Sequence, residues 1–267
     1  MQRTFLRRLA GATAGLLLTG TSTFAADLGV APLAPPPPPI FTWTGFELGV
    51  QVGGGVGRTS VNIDGSFAPP FAVGPSSDSY STTGPFGGIH LGFNYQLTQP
   101  IVVGVQVEGN FAGITGNVVA PPINFASTSI REVLSADARL GVAFDRLLIY
   151  AIGGFAYADI RNEIQLAGLP PGVIDFFAVN RYGFDVGGGL EYNFYGNWTA
   201  RAEYRYYDWG TRGFNSPGFG SVVNSALGGA LAFAIPNHSS RETLQTGRIG
   251  LTYKFAWPSA VPVVAKY

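Results

Sequence analysis

From Phe46 onward the chain alternates apolar with polar or small residues at period two, and it does so again and again. Phe46, Leu48, Val50 and Val52 take one face while Glu47, Gly49, Gln51 and Gly53 take the other. That spacing is a β-strand with two chemically different faces, because successive side chains in a strand point to opposite sides. No stretch approaches the run of about 18 apolar residues that a membrane helix needs, although the mean hydropathy is +0.21. Apolar surplus without long apolar runs must therefore be carried by strands.

Seven further segments repeat the pattern. The second sets Ile89, Leu91, Phe93 and Tyr95 against Gly88, His90, Gly92, Asn94 and Gln96, and the third sets Val103, Val105, Val107 and Phe111 against Gly104, Gln106, Glu108 and Asn110. The fourth opposes Leu134, Ala136, Ala138, Leu140, Val142 and Phe144 to Ser135, Asp137, Arg139 and Gly141. In the fifth, Leu148, Tyr150 and Ile152 form the apolar face opposite Ala151 and Gly153, with Ile149, Phe155 and Tyr157 out of phase. The sixth opposes Tyr182, Phe184, Val186, Leu190, Tyr192 and Phe194 to Gly183, Asp185, Gly187, Gly189, Glu191 and Asn193. The seventh places Trp198, Ala200, Ala202, Tyr204 and Tyr206 against Thr199, Arg201, Glu203 and Arg205, and the eighth Ile249, Leu251, Tyr253 and Phe255 against Arg248, Gly250, Thr252 and Lys254.

Which chemistry sits on which face separates the alternatives. A soluble barrel buries its apolar face and shows water a surface rich in Lys and Glu. Here only 12% of residues are charged, with 38 Gly and 13% aromatics, against roughly 25% charged in an average soluble domain. The polar face is half glycine, which suits a narrow interior crossed by a few long ionic side chains. The expected fold is an all-β, eight-stranded antiparallel up-and-down transmembrane barrel with its apolar, aromatic face toward lipid.

Connector lengths test this independently. Short links at 97–100, 145–146 and 195–197 alternate with long ones at 59–79, 112–129, 161–180 and 208–240. Short periplasmic turns and long extracellular loops are the rule for outer-membrane barrels. The long links carry Pro69-Pro70, Pro121-Pro122, Pro170-Pro171 and Asn215-Ser216-Pro217-Gly218, which are loop chemistry. Trp43, Phe46, Tyr95, Phe144, Tyr192, Phe194, Trp198 and Phe255 cluster toward the short-turn end, where an interfacial girdle belongs.

The first residues read as an export address. Arg3, Arg7 and Arg8 precede an apolar core at Leu9–Leu18, and Thr23-Phe24-Ala25 offers small residues for signal cleavage after Ala25 or Ala26. The expected division is 1–25 signal peptide, 26–42 Pro-rich periplasmic leader, 43–255 barrel and 256–267 tail. The leader ends in five prolines, 35–39, a donor-free run that favours extended polyproline II. Cleavage removes three Arg and no acid, so a formally neutral chain becomes one of net charge −3. There is no basic patch for nucleic acid, and the absence of Cys excludes disulfides and thiolate sites.

Ala26-Asp27-Leu28 at the expected mature start, Trp43-Thr44-Gly45-Phe46, Arg139-Leu140-Gly141, 150–157 (Tyr-Ala-Ile-Gly-Gly-Phe-Ala-Tyr), Glu203-Tyr204-Arg205-Tyr206-Tyr207 and Gly250-Leu251-Thr252-Tyr253-Lys254-Phe255 occur in an order and spacing that resembles the small outer-membrane barrels of alphaproteobacteria. These are the "porin family" or surface-antigen proteins, of the OmpA-like and opacity-protein type. Arg248-x-Gly250-x-x-Tyr253-x-Phe255 resembles the closing-strand signal read by the outer-membrane assembly machinery, except that the chain continues to Tyr267. The resemblance implies outer-membrane lipid, lipopolysaccharide and that machinery as partners, and it implies an extracellular ligand, haem-type or host-surface, for the long loops. Phe214, Phe219 and His238 are the loop residues nearest to that role.

On this reading Glu47, Gln51, Glu108, Asp137, Arg139, Asp185, Glu191, Arg201, Glu203, Arg205, Arg248 and Lys254 all point into the lumen. Unpaired charge in so confined a space costs several kcal/mol, so an ion-paired plug is the leading expectation and a narrow pore the alternative. His90 on the polar face and His238 beside the last loop make neither a metal pair nor a triad. The chain is therefore expected to be no enzyme, with no cofactor and no metal. Gly53-Gly54-Gly55 and Gly187-Gly188-Gly189 are not phosphate loops, because no helix follows them.

Overall fold

The computed structural model describes residues 41–63, 66–68, 71–73, 75–120, 123–166, 175–214 and 238–256. Its strands are β1 (Gly45–Ile63), a short hairpin of β2 (Ser66–Ala68) and β3 (Phe71–Val73), β4 (Ser76–Gln96), β5 (Ile101–Ala120), β6 (Ile123–Phe144), β7 (Leu147–Leu166), β8 (Asp175–Tyr195), β9 (Trp198–Phe214) and β10 (His238–Ala256). The eight long strands form a closed antiparallel barrel in the order β1-β10-β9-β8-β7-β6-β5-β4. Closure comes from β1 and β10, which pair without a break from Gly45↔Ala256 to Ile63↔His238.

The outer face is read directly from the sequence pattern. On β1 the outward positions run Phe46, Leu48, Val50, Val52, Gly54 and Val56 before turning polar at Arg58, and on β6 they run from Phe144 back to Leu134 before Glu132. These bands of about eleven residues match the length a tilted strand needs to cross a bilayer. Aromatics mark both borders. Phe46, Tyr95, Phe144, Tyr192, Phe194, Trp198 and Phe255 are exposed at the short-turn end, and Phe111, Phe155, Tyr182, Phe184 and Tyr204 at the other.

Beyond that band the strands keep going, which changes the expected connectors. Much of 59–79, 112–129, 161–180 and 208–240 is paired strand: β1 and β4 stay in register to Ile63↔Ser76, and β5 and β6 stay paired to Ala120↔Ile123 through register shifts at Phe111/Ile114 and Val118/Ala120. Outside the membrane the outward face meets water in place of lipid, so the apolar-outward alternation ends while backbone pairing continues. The proline pairs at 69–70, 121–122 and 170–171 and the turn at 215–218 lie outside the described residues, as do Phe219, residues 1–40 with the cleavage position at Ala25, and 257–267.

The fifth segment faces the other way from the expectation. Leu148, Tyr150 and Ile152 point into the lumen, and Ile149, Ala151 and Phe155 point outward. The two-residue turn Asp145-Arg146 sets the register Phe144↔Leu147, so that Leu140 lies opposite Ala151 and Ala143 opposite Leu148. Directly opposed residues share a face, and β6 dictates the facing of β7. Asp145 takes the left-handed conformation at φ 52° in this turn, and Gly196 does so at φ 50° in the next.

Candidate functional site

The lumen is a stack of layers. At the short-turn end, residues 41–44 fold across the mouth. The Trp43 indole is 1% exposed and packs with Val102, Ala143, Leu148 and the edge of Phe41. Its Nε1 donates to the Asp145 carbonyl at 3.1 Å, and its backbone N–H donates to Gln96 Oε1 at 3.0 Å. Lys254 Nζ donates to the Thr42 carbonyl at 2.8 Å and sits 4.5 Å from the Trp43 ring centroid. Trp43 thus leaves the expected girdle, because a segment that crosses the mouth buries its ring inside the barrel and not in lipid.

Above this stopper lies the first ionic layer. Arg139 bridges Glu47 at 2.5 Å and Glu191 at 2.8 Å, with its guanidinium 4.0 Å from the Tyr150 ring centroid. Asn94 donates to the second oxygen of Glu47 at 2.7 Å, and Thr199 to that of Glu191 at 2.6 Å. Glycine makes the room: a Cβ on Gly92 would stand 2.7 Å from Glu47 Oε1. His90 shares a 3.0 Å hydrogen bond with Thr252 beside this layer.

The second ionic layer is larger. Arg201 donates to Gln106 at 2.9 Å and to Gln51, which in turn donates to Glu108 and Asn110. Arg205 meets four carboxylates, Asp137 at 2.6 Å, Glu203 at 2.7 Å, Asp185 at 2.9 Å and Glu108 at 3.2 Å. Arg248 bridges Glu108 at 2.6 Å and donates to the Tyr207 hydroxyl at 2.6 Å, while Tyr150 donates to Glu203 at 2.7 Å. The twelve lumen residues named from the sequence are all buried. Eleven enter these layers as six carboxylates, four Arg and Gln51, and Lys254 joins the stopper.

A second apolar layer covers this network on the extracellular side. Ile114, Ile130, Val133, Ile160, Trp209 and Leu244 pack together inside the barrel, with Tyr207 stacked on Trp209 at 5.6 Å. The cavity beneath them, bounded by Phe86, Asn110, Ala112, Tyr207, Thr246 and Arg248, measures about 10 Å³, room for a single water. Higher still, Arg181 pairs with Glu242 at 2.7 Å. None of Ile114, Ile130, Ile160, Trp209, Leu244, Arg181 and Glu242 stands out in the amphipathic segments of the sequence. Their signal was an inward phase that turns apolar above the membrane band, as at Ile114 and Leu244.

The closing strand carries Arg248 and Gly250 inward. Tyr253 and Phe255 face outward, with their rings 5.1 Å apart and Tyr253 against Trp198 at 5.1 Å. His238 opens β10 opposite Phe214 and Ile63. Among the described residues, no group of three or more His, Asp and Glu side chains is arranged to hold a metal ion.

A closed eight-stranded barrel with an aromatic-bordered apolar exterior and an ionic interior is an outer-membrane β-barrel. The chain belongs to the outer membrane protein beta-barrel domain family, whose model matches residues 23–255. It is similar to the 31 kDa outer-membrane immunogenic protein of Brucella melitensis, with 30% identity over 250 residues, 88% of this chain and 94% of that protein. The 25 kDa outer-membrane immunogenic protein of the same species is 25% identical over 255 residues, covering 94% of this chain and 99% of that protein. Among solved structures, OprG of Pseudomonas aeruginosa aligns over 80% of this chain and 98% of its own with 14% identity and a TM-score of 0.44.

Proposed function

We propose that the protein is a non-conducting outer-membrane scaffold whose lumen is sealed and whose strand extensions present a surface outside the cell. The observation that carries this reading is the ionic network enclosed between two apolar layers, Trp43 with Leu148 below and Ile114 with Trp209 and Leu244 above. An eight-stranded barrel has an interior only as wide as its side chains fill, and an ion entering here has to break paired charges after crossing an apolar constriction. Reconstitution into planar bilayers is expected to give no steady channel openings. Stable, repeated conductance steps from purified protein would overturn the seal.

A second reading, binding at the cell surface, is favoured by strand length. The strands run for 17–22 residues, about twice the length that crossing demands, so the ladder stands well clear of the lipid. Rigid scaffolds carry recognition on such projections. Names given to the relatives speak of immunogenic outer-membrane proteins, which agrees with surface display. Protein trimmed of its extracellular connectors and still retaining all binding to host surfaces or haem would count against this second reading.

A further inference from the structure

The charges enclosed in the lumen do not cancel. In the second ionic layer Glu108, Asp137, Asp185 and Glu203 meet Arg201, Arg205 and Arg248, four acids against three bases. In the first layer Glu47 and Glu191 share Arg139, and Lys254 at the stopper brings a second positive charge. Arg181 and Glu242 cancel each other higher up. The network is thus one positive charge short, and uncompensated charge held away from water is costly.

A count of hydrogens locates the deficit. Arg205 Nη1 carries two hydrogens, and three oxygens lie around it: Asp137 Oδ2 at 2.6 Å, Asp185 Oδ2 at 2.9 Å and Ser135 Oγ at 3.2 Å. Ser135 donates its own hydrogen to Asp137 Oδ2 at 2.8 Å. The other oxygens of the two acids, Asp137 Oδ1 and Asp185 Oδ1, are buried and receive no hydrogen. An ionised carboxylate can only accept, so two anions here lack a donor as well as a positive charge.

Strand register brings these acids together. Asp137 on β6 and Asp185 on β8 both lie directly opposite Gly154 on β7, so they flank one inward glycine at the same height. A Cβ on Gly154 would stand 2.8 Å from Asp137 Oδ1. Without one, the Asp137 and Asp185 carboxyl groups meet side chain to side chain over the β7 backbone. Two carboxylates in one site repel. A single proton held between them turns that contact into a hydrogen bond and supplies the missing charge.

We propose that Asp137 and Asp185 form a proton-binding site, a carboxylic acid paired with a carboxylate over Gly154, which fills the one-charge deficit of the lumen. Two other claimants fit less well. His90 makes its hydrogen bond to Thr252 and leaves Nδ1 without a partner, so an imidazolium there would add a buried N–H with nothing to accept it. A metal ion needs more than two oxygens, and among the described residues no group of three or more acids and His is arranged to hold one.

The test follows the full chain as it folds from urea into lipid vesicles in weak buffer with a pH indicator. At about pH 8 the unfolded chain has its carboxyl groups ionised and its imidazoles neutral. The wild type is expected to take up about one proton per chain more than Asp185→Asn does. Asp185→Asn places an amide N–H where the proton would lie, so the variant should still fold. Asp137→Asn should behave alike, and His90→Gln should keep the wild-type uptake. Infrared spectra of the folded wild type give a second readout. They should show a protonated-carboxyl C=O band that moves to lower frequency after folding in D2O and is missing from both Asp variants. Absence of that band from the wild type overturns the proposal, as does proton uptake that both Asp variants retain. Folding that takes up no proton and strengthens with added sodium would mark a cation site and overturn it too.

Discussion

Arg205 shows what a single residue does in this lumen. Its guanidinium, held on β9, is the shared counter-charge of Glu108, Asp137, Asp185 and Glu203, and each of these is buried. Removing one partner of a buried pair leaves uncompensated charge and costs about 3–5 kcal/mol. Arg205→Ala is expected to lose that much in urea unfolding from lipid vesicles followed by tryptophan fluorescence. Arg205→Lys should recover only part, because an ammonium lacks the planar fork that meets several carboxylates at once. Above the membrane, Asp208 gives a pH effect. Burial opposes its charge, but the hydrogen bond from Arg241, the Gly210 amide and the Arg241 charge outweigh burial and hold its carboxyl below the ordinary Asp value. The folded protein therefore binds this proton less readily than the unfolded chain. Its contribution is complete above the ordinary Asp value and fades as pH falls through the depressed one. Amide exchange at 208–213 should quicken through that acid window in the wild type, and Asp208→Asn should flatten the dependence.

At the scale of elements, two short pieces decide what the barrel can do. The segment 41–44 is a strap held by Trp43, Gln96 and Lys254. Deleting a buried indole costs about 3–5 kcal/mol, more than four residues with few other anchors can spare. Trp43→Ala should therefore make the strap cleavable in limited proteolysis while the barrel keeps its heat-modifiable fold. The other piece is the bulge at Asp208-Trp209-Gly210, where the β9–β10 register slips between Arg241 and Thr243, Gly210 takes φ 69°, and the β8–β9 ladder has its last pair at Phe184↔Asp208. Left-handed backbone costs a residue with a Cβ about 1–2 kcal/mol, and Gly210→Val is expected to lower stability by that amount. Because the bulge parts β9 from β8, the same variant should extend β8–β9 pairing, seen as slower exchange at Ala178 and Asn180. Much of this level was legible beforehand in only one sense. Seven of the eight segments faced as their alternation implied, but β7 did not, because its own residues are apolar in both phases and the tight turn to β6 chose between them.

For the whole molecule, eight amphipathic segments with alternating short and long links were enough to imply closure, since a sheet in lipid can leave no edge unpaired. The ion pairs were legible only as a set of inward charges. Which acid meets which base depends on shear between strands far apart in sequence, as in Arg201 with Gln51 or Arg248 with Glu108. The extracellular extensions were illegible because outside lipid the outward face is no longer marked as apolar, and the inward face takes over the apolar residues, as at Ile114 and Leu244. The sequence by itself determined the number of barrel strands, the outward surface of seven of them and the identity of the lumen charges within the membrane band, all of which follow from local alternation against an apolar solvent. Only the tertiary structure decided how those charges pair, that Trp43 turns inward to stop one mouth, that a second apolar layer closes the other, and where the ladder parts above the membrane. Each of these depends on register and on a bulge, and register is a property of neighbouring strands and not of any one of them.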